Sequence, residues 1–419
     1  MIPLSFDELA ALCPGHLETA PWADEVTGVQ IDSRLIDEGD LFFAVGSGAD
    51  YRRHAFARGA AATLVPDDAF KELAALGSAV RARSDARVVG ITGSTGKTST
   101  KDILAAMCRP HAKTVAAAGC HNNEIGLPLT LTRIEEDTGV VVCEMGMRGL
   151  GQITELCAIA RPDVGIVTSI GPVHLELLGT VEAVAEAKAE VVASLPQGGI
   201  AVVPDEPLLE PYLTREDIEI RRFGPDSVTS FERTNGGSRI GFALGEHKLE
   251  LAFSFTARHQ AENAAAALLA LEALGLPFPE GRVDVELSRW RGEESTLPGG
   301  GLLINDAYNA NPVSMRAALE HLAGHQGRKV AVLGEMAELG PTASEYHREI
   351  GELVRSLGID AVLAVGELAQ GYGGEYARDA DEAVDKVGEI VQPGDVVLVK
   401  GSRAVGLEIV AEALLGVHA

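Results

Sequence analysis

The chain has 419 residues, 46% of them apolar, and a formal net charge of −26 at pH 7. This length predicts about three domains, and the acidity argues against nucleic acid or an anionic membrane surface as a partner. Any anionic ligand must therefore be met by local lysine, arginine, backbone N–H groups or a metal ion.

Residues 1–84 read as a small N-terminal α/β domain. The first residues have neither the basic nor the apolar segment of a signal peptide, and no apolar run is long enough to cross a membrane, so a cytoplasmic location is expected. Asp32-Ser33-Arg34 follows the first strand. The predicted strands are Val26–Asp32, Leu41–Val45 and Thr63–Val65, with a helix over Ala55–Ala61.

Residues 85–296 read as a central domain with a parallel sheet. Apolar runs alternate there with helical patterns, which is typical of strands joined by crossover helices. Arg221–Phe255, with its Asn235-Gly236 turn, instead indicates an antiparallel addition. The predicted strands are Val88–Thr92, Val140–Cys143, Gly165–Thr168 and Ile200–Val203, and the helices include Leu150–Ile159, Val181–Ser194 and Ala261–Leu274.

A glycine-rich loop joins the first central strand to a helix. It reads Gly93-Ser94-Thr95-Gly96-Lys97-Thr98-Ser99. In such a loop the backbone N–H groups and the helix N-terminus face a phosphate, the lysine reaches the terminal phosphates and the threonine hydroxyl holds Mg²⁺. The strict Walker A pattern requires glycine at the position that Ile91 occupies here. The alternative interpretation is a glycine-rich turn that caps a helix and binds no ligand. We favour a nucleoside triphosphate site.

Two polar residues follow central strands at the edge where parallel sheets place ligands. Glu144 is either a Mg²⁺ ligand or a strand-end acid paired with Arg148. His174 is either structural or part of the same site.

Lys188 lies on the apolar stripe of the helix Val181–Ser194, four residues from both Val184 and Val192. A lysine on a core-facing stripe extends to solvent, is paired or is chemically modified. A neutral buried amine can react with CO₂ to give a carbamate, an anionic metal ligand.

Further candidates lie near the start of the third domain, predicted over residues 297–419. Asn263 either caps a helix or contacts a nucleotide. Arg291 precedes a predicted hinge at Ser295–Gly301, and Asp306 ends a strand before the turn Tyr308-Asn309-Ala310-Asn311-Pro312. The predicted strands are Leu302–Asn305, Val330–Leu333, Ala361–Val365 and Val396–Val399, with a helix over Val313–Leu322.

Together these motifs resemble the Mur ligase family over essentially the whole chain. Asp32-Ser33-Arg34 is similar to the family's UDP-sugar domain, and the loop at Gly93–Thr98 to its ATP loop. Four motifs resemble the branch that adds D-alanyl-D-alanine, although the chain departs from that branch at Cys120 and His121. They are Asn122–Pro128, Tyr308–Met315, Gly334–Gly340 and Lys400–Arg403.

The resemblance implies an α/β protein with a small N-terminal domain, a central P-loop-type ATPase domain and a Rossmann-like C-terminal domain. It implies ATP, two Mg²⁺ ions and a carbamate on Lys188. Lys97 would hold phosphates, Thr98 and Glu144 one ion, and His174 with carbamylated Lys188 the second. Adenosine and phosphate would meet Asn263, Arg291 and Asp306. Substrates would meet Ser33, Arg34, Asn122, Asn123, Tyr308, Asn309 and Asn311.

The implied reaction joins D-Ala-D-Ala to UDP-MurNAc-tripeptide through an acyl phosphate, and a monomer is expected. The alternatives are a sibling ligase that adds one amino acid (a diaminopimelate-type Mur ligase or a folylpolyglutamate synthetase), a P-loop ATPase or kinase, and a regulatory nucleotide-binding protein.

Overall fold

The computed structural model describes residues 1–117, 119 and 121–416. Three sheet-based α/β units follow one another along this part of the chain, which confirms the predicted three-domain α/β class. No helix in the described residues is long and apolar enough to cross a membrane. The predicted departure at Cys120 lies outside the described residues.

The N-terminal unit contains a four-stranded mixed sheet in the order β2-β6-β5-β4 and a separate β1–β3 ladder. The predicted strand Val26–Asp32 is therefore wrong as a single element, because its two halves pair with different partners. The elements are β1 (Leu4–Ser5), α1 (Phe6–Leu12), β2 (Gly15–Thr19), β3 (Glu25–Val26), β4 (Gly28–Gln30), β5 (Asp40–Phe43), α2 (Arg52–Ala57), β6 (Ala62–Pro66) and α3 (Ala69–Ala82).

The central unit is built on a six-stranded sheet, β12-β11-β10-β7-β9-β8, in which every pair is parallel. The predicted antiparallel addition over Arg221–Phe255 is confirmed for β13–β15, which β16 joins in parallel. Its first residues, Arg221–Phe223, belong instead to β12 of the parallel sheet. The elements are β7 (Arg87–Thr92), α4 (Lys97–Cys108), β8 (Thr114–Ala116), α5 (Gly126–Leu131), β9 (Val140–Glu144), α6 (Gln152–Ala160), β10 (Val164–Val167), α7 (Leu175–Leu178), α8 (Val181–Ala193), β11 (Ile200–Pro204), β12 (Glu219–Phe223), β13 (Val228–Thr234), β14 (Gly237–Leu244), β15 (His247–Phe253), α9 (Gln260–Ala273) and β16 (Arg282–Val283).

The third unit has the sheet order β17-β18-β22-β19-β20-β21, parallel except for β17. Its elements are β17 (Glu293–Thr296), β18 (Leu302–Asp306), α10 (Pro312–Ala323), β19 (Lys329–Gly334), α11 (Ala343–Ser356), β20 (Ala361–Val365), β21 (Glu375–Ala377), α12 (Ala380–Ile390), β22 (Val396–Lys400) and α13 (Glu408–Leu414).

The strand β17 corrects the predicted boundary and hinge. Glu293–Thr296 pairs antiparallel with β18, so these residues belong to the third sheet and not to the central domain. The glycines at 299–301 close the hairpin, where Gly300 donates its N–H to the Leu297 carbonyl at 2.9 Å. A segment held in a hairpin cannot act as the predicted hinge at Ser295–Gly301. The connection between the central and third sheets is instead the stretch 284–292.

The N-terminal and central units share one apolar core. Leu73, Leu76 and Val80 of α3 are fully buried in the same cluster as Leu127 and Leu131 of α5. A side chain at Gly77 would meet the backbone of Pro128, with a Cβ only 2.9 Å from its Cα. The close approach of α3 to α5 therefore depends on glycine at position 77.

We expect Gly77→Ala to lower the free energy of unfolding. The overpacking cost of about 1–3 kcal/mol exceeds the helix propensity that alanine gains, about 0.5–1 kcal/mol. Thermal or urea unfolding measures the difference. The matched control is Gly388→Ala in α12, where a Cβ would meet nothing within 4 Å, so only the stabilising term applies. Equal stabilisation by both changes would contradict the packing argument.

Candidate active site between the central and third sheets

A cavity of about 1280 Å³ opens where the carboxyl ends of the central strands face the third unit. It brings together most of the predicted site residues, although Ser33, Arg34 and Gly93 do not line it. Those that do are Ser94, Thr95, Gly96, Lys97, Thr98, Ser99, Asn122, Asn123, Glu144, His174, Lys188, Asn263, Arg291, Asp306, Tyr308, Asn309 and Asn311.

The glycine-rich loop has the geometry of a phosphate cradle. It joins β7 to α4, whose first residue is Lys97, so the N-terminal N–H groups of α4 point into the cavity. Gly96 has a φ of +82°, and a Cβ there would lie 2.3 Å from Oδ1 of Asn263. The Lys97 ammonium group donates to the Gly93 carbonyl at 2.7 Å. Glycine at 96 therefore satisfies both the backbone turn and the contact with α9.

The next central loop holds the phosphate loop in place. Thr95 donates its N–H to the Ser169 hydroxyl at 2.9 Å, and the Thr168 hydroxyl donates to the Thr95 carbonyl at 2.5 Å. Thr168 and Ser169 directly follow β10. These two bonds fix the phosphate loop against the loop that follows β10.

Glu144 ends β9 and is 1% exposed. Asn122 donates its Nδ2 to Oε1 at 2.8 Å, while the buried Oε2 has no hydrogen-bond partner among the described residues. The predicted alternative pairing with Arg148 is wrong, because that guanidinium approaches Glu338 instead, at 3.9 Å. A buried carboxylate oxygen without a donor is a suitable ligand for a cation.

Lys188 lies on α8 and is 1% exposed, so the alternative that it extends to solvent is wrong. It has no hydrogen-bond or ion-pair partner in the part of the chain that the structure describes, yet it lines the cavity. Burial and the nearby Lys97 ammonium hold the pKa of Lys188 well below its usual value. Both effects favour the neutral, nucleophilic amine over the ammonium form.

His174 connects the central unit to the third unit. Its Nδ1 lies 2.5 Å from Oε2 of Glu338, and the histidine holds the pKa of that carboxyl below its usual value. Both residues have left-handed backbones, with φ of 54° and 62°. Such strain persists where the surroundings enforce it, commonly at functional sites. Glu338 was not predicted as a site residue, although its motif Gly334–Gly340 was recognised.

The third unit contributes a buried ion pair. Lys400 donates to Oδ2 of Asp306 at 2.6 Å and to the Asn309 carbonyl at 2.8 Å, which fixes the turn after β18. Lys400 was likewise recognised only as part of a motif. Pairing across neighbouring strands β18 and β22 is a tertiary contact that local spacing does not encode.

Arg291 reaches from the connecting segment into the nucleotide loop. Its guanidinium lies 4.0 Å from the centre of the Tyr308 ring and donates to the Thr98 hydroxyl at 3.3 Å. Tyr308, a residue of the predicted turn, therefore makes a cation–π contact with Arg291, which also contacts the phosphate loop.

Several predicted polar residues also have structural contacts. Asn263 lies inside α9 and donates to Oε1 of Gln260 at 2.8 Å, so the helix-cap alternative is wrong. The side chain of Asn311 caps α10, and that of Asn123 accepts the N–H of Gly126.

Ser33 and Arg34 lie elsewhere, in the N-terminal unit. Ser33 is buried beside His54 and Arg34 is exposed and paired with Asp32. Neither belongs to the cavity.

A phosphate loop, a buried lysine with a lowered pKa and a buried carboxylate oxygen without a donor among the described residues line one cavity, which the third unit also borders. This arrangement defines a nucleotide-dependent enzyme. The chain belongs to the Mur ligase family, which confirms the resemblance. The family model "Mur ligase middle domain" matches residues 91–271, and "Mur ligase, glutamate ligase domain" matches residues 291–403.

Similar proteins cover almost the whole chain. The UDP-N-acetylmuramoyl-tripeptide–D-alanyl-D-alanine ligase of Bacillus subtilis is 32% identical over 99% of both chains. The crystal structure of MurF from Acinetobacter baumannii is 26% identical, with a TM-score of 0.85 over 99% of both chains. The MurF ligase of Thermotoga maritima in complex with ADP is 28% identical, with a TM-score of 0.79 over 93% of this chain and 97% of that one.

We expect Gly96→Ala to weaken nucleotide binding by at least about tenfold, because the new Cβ collides with Asn263 and shifts the loop. Calorimetric titration with ADP measures this. The control is Gly151→Ala, since Gly151 has nearly the same backbone (φ +86°) at the start of α6 but open space around it. An equal loss of ADP affinity in both variants would show that backbone strain, and not the collision with Asn263, weakens binding.

Proposed function

We propose that this protein joins D-alanyl-D-alanine to UDP-MurNAc-tripeptide with ATP, giving UDP-MurNAc-pentapeptide, ADP and phosphate for peptidoglycan synthesis. The observation that carries the proposal is a single cavity shared by the phosphate loop of the central sheet and the Tyr308–Asn311 turn of the third sheet. The full-length similarity to UDP-N-acetylmuramoyl-tripeptide–D-alanyl-D-alanine ligases supports the same assignment.

The described residues fit the magnesium ions that such a reaction uses. The unpartnered Oε2 of Glu144 and the Thr98 hydroxyl would hold one ion, while His174 and a carbamate on Lys188 would hold the second. When bound, the ions neutralise phosphate charge. Lys188 is buried, its pKa is lowered and it has no acidic partner among the described residues, so it is suited to carbamate formation.

The first chemical step brings two anions together. The carboxylate of the tripeptide attacks the γ-phosphorus of ATP, the bond to the bridging oxygen breaks, and an acyl phosphate and ADP form. Lys97 and the N-terminal N–H groups of α4 would hold the β- and γ-phosphates as charge moves. Arg291, which contacts the Thr98 hydroxyl, would add a second cation on the phosphate side.

The second step forms the amide. The free amine of D-Ala-D-Ala attacks the acyl carbon, phosphate leaves with its bonding pair, and the amine loses a proton. We place the dipeptide beside Tyr308, Asn309 and Asn311, and the nucleotide between Asn263 and Asp306. Asn122 and Asn123 would face the tripeptide, and Ser33 and Arg34 the UDP group in the N-terminal unit.

Water has to be kept from the acyl phosphate, since hydrolysis would waste ATP. A close contact between Nδ1 of His174 and Oε2 of Glu338 joins the central and third units at the cavity. We propose that this contact holds the two units in the closed arrangement. We expect the enzyme to act as a monomer in the cytoplasm, where ATP and nucleotide-linked substrates are made.

Release of phosphate distinguishes this ligase from its rivals. We expect release to require ATP, UDP-MurNAc-tripeptide and D-Ala-D-Ala together, because the acyl phosphate is protected until the amine arrives. The assay omits each substrate in turn. Turnover with ATP alone would indicate an ATPase, and turnover with a single amino acid in place of the dipeptide would indicate a sibling ligase.

We expect Lys188→Ala to reduce ligation by about 10²–10³-fold, the usual effect of removing one group that stabilises developing charge. Short carboxylic acids should restore part of the rate in this variant, because a free carboxylate can occupy the vacated space. The wild-type enzyme with the same acids, and the variant with chloride salts, are the controls. Full activity of the variant without added acid would rule out the carbamate.

A further inference from the structure

Lys101 is a buried cation that the proposed reaction does not use. It lies one turn after Lys97 on α4 and is 1% exposed. Its ammonium group donates to the carbonyls of Ala117 and Gly119 at 2.8 and 2.9 Å and lies 3.0 Å from Oδ1 of Asp102. Because a buried charge is costly without partners, this arrangement holds the surrounding backbone in one place.

The two carbonyls belong to the segment that leads to Asn122. Asn122 donates its side chain to Glu144 at 2.8 Å and accepts the N–H of Gly146 at 2.7 Å through its own carbonyl. The backbone held by Lys101 therefore continues into the residue that orients the candidate metal ligand.

The same pair of residues holds the connection between the central and third units. The Ser288 N–H donates to Oδ2 of Asp102 at 2.8 Å, and the Ser288 hydroxyl lies 3.5 Å from the Lys101 ammonium. Three residues later, Arg291 contacts the Thr98 hydroxyl. A cavity of about 490 Å³ borders Lys101, Asp102 and Ser288, so these polar contacts, and not close packing, fix the segment.

We propose that Lys101 and Asp102 are positioning residues that hold two separate arms against the ATP-loop helix. One arm is the segment that leads to Asn122 and Glu144, and the other is the connecting segment that carries Arg291. Both arms end at the nucleotide site. The buried pair Lys101–Asp102 therefore fixes the positions of Asn122 and Arg291 relative to the phosphate loop. The kinetic part of this proposal rests on the proposed function.

The test compares the full-length protein with Lys101→Met, which keeps the length of the side chain and removes its charge and donors. Amide hydrogen exchange is measured without substrates in peptides that contain Asn122 and Ser288. We expect exchange to quicken in both, and kcat for ligation to fall at least about tenfold. The dissociation constant for ADP should rise by a smaller factor than kcat falls, because Lys97 and the N-terminal N–H groups of α4 still hold the phosphates. Lys101→Arg, which keeps the charge and the donors, should recover part of the rate.

The matched control is Lys113→Met, which removes an exposed lysine paired with Glu135 and Asp137 in the same unit and should change none of these quantities. If Lys101→Met does not fold, Asp102→Asn tests the same claim, because it keeps the shape and removes the charge.

Unchanged exchange in either peptide, or a loss of ADP affinity in proportion to kcat, would overturn the positioning role. Exchange needs no substrate, so absence of ligation in the wild type would contradict the proposed function alone.

Discussion

An acidic protein has to bring a carboxylate and a triphosphate into contact, and this electrostatic constraint governs the rest of the structure. The chain carries a net charge of −26, so attraction has to be local. The structure supplies it by turning the N-terminus of α4, Lys97 and Arg291 toward one cavity. In the same cavity, the buried Oε2 of Glu144 is suited to be a ligand for a cation. The cations and this carboxylate oxygen thus line the same cavity.

Lys188 shows how burial changes chemistry as well as charge. It projects from α8 among fully buried neighbours such as Val184 and Val192, and Lys97 adds a second positive charge nearby. Both effects disfavour the ammonium form, so the residue is available as a neutral amine at a pH where an exposed lysine would be protonated. A fold stabilised by apolar packing therefore also produces a reactive group.

The sequence predicts the features that depend on local pattern. Alternating apolar runs predict the parallel central sheet, the glycine spacing predicts the loop at Gly93–Ser99, and helical periodicity places Lys188 on a buried stripe. Contacts between distant segments escape such reasoning. The contacts His174–Glu338 and Lys400–Asp306 join different elements, and β17 joins the third sheet only through its pairing with β18. The hinge was misplaced for the same reason, since a glycine-rich stretch predicts a turn without saying which strands it connects.

The acyl phosphate is the centre of the account, and oxygen labelling tests it most directly. UDP-MurNAc-tripeptide labelled with ¹⁸O in its terminal carboxylate is incubated with ATP, D-Ala-D-Ala and the protein, and the released phosphate is examined by mass spectrometry. Attack of the carboxylate on the γ-phosphorus predicts one labelled oxygen in each phosphate molecule. Unlabelled phosphate, released while the amide forms, would contradict the mechanism.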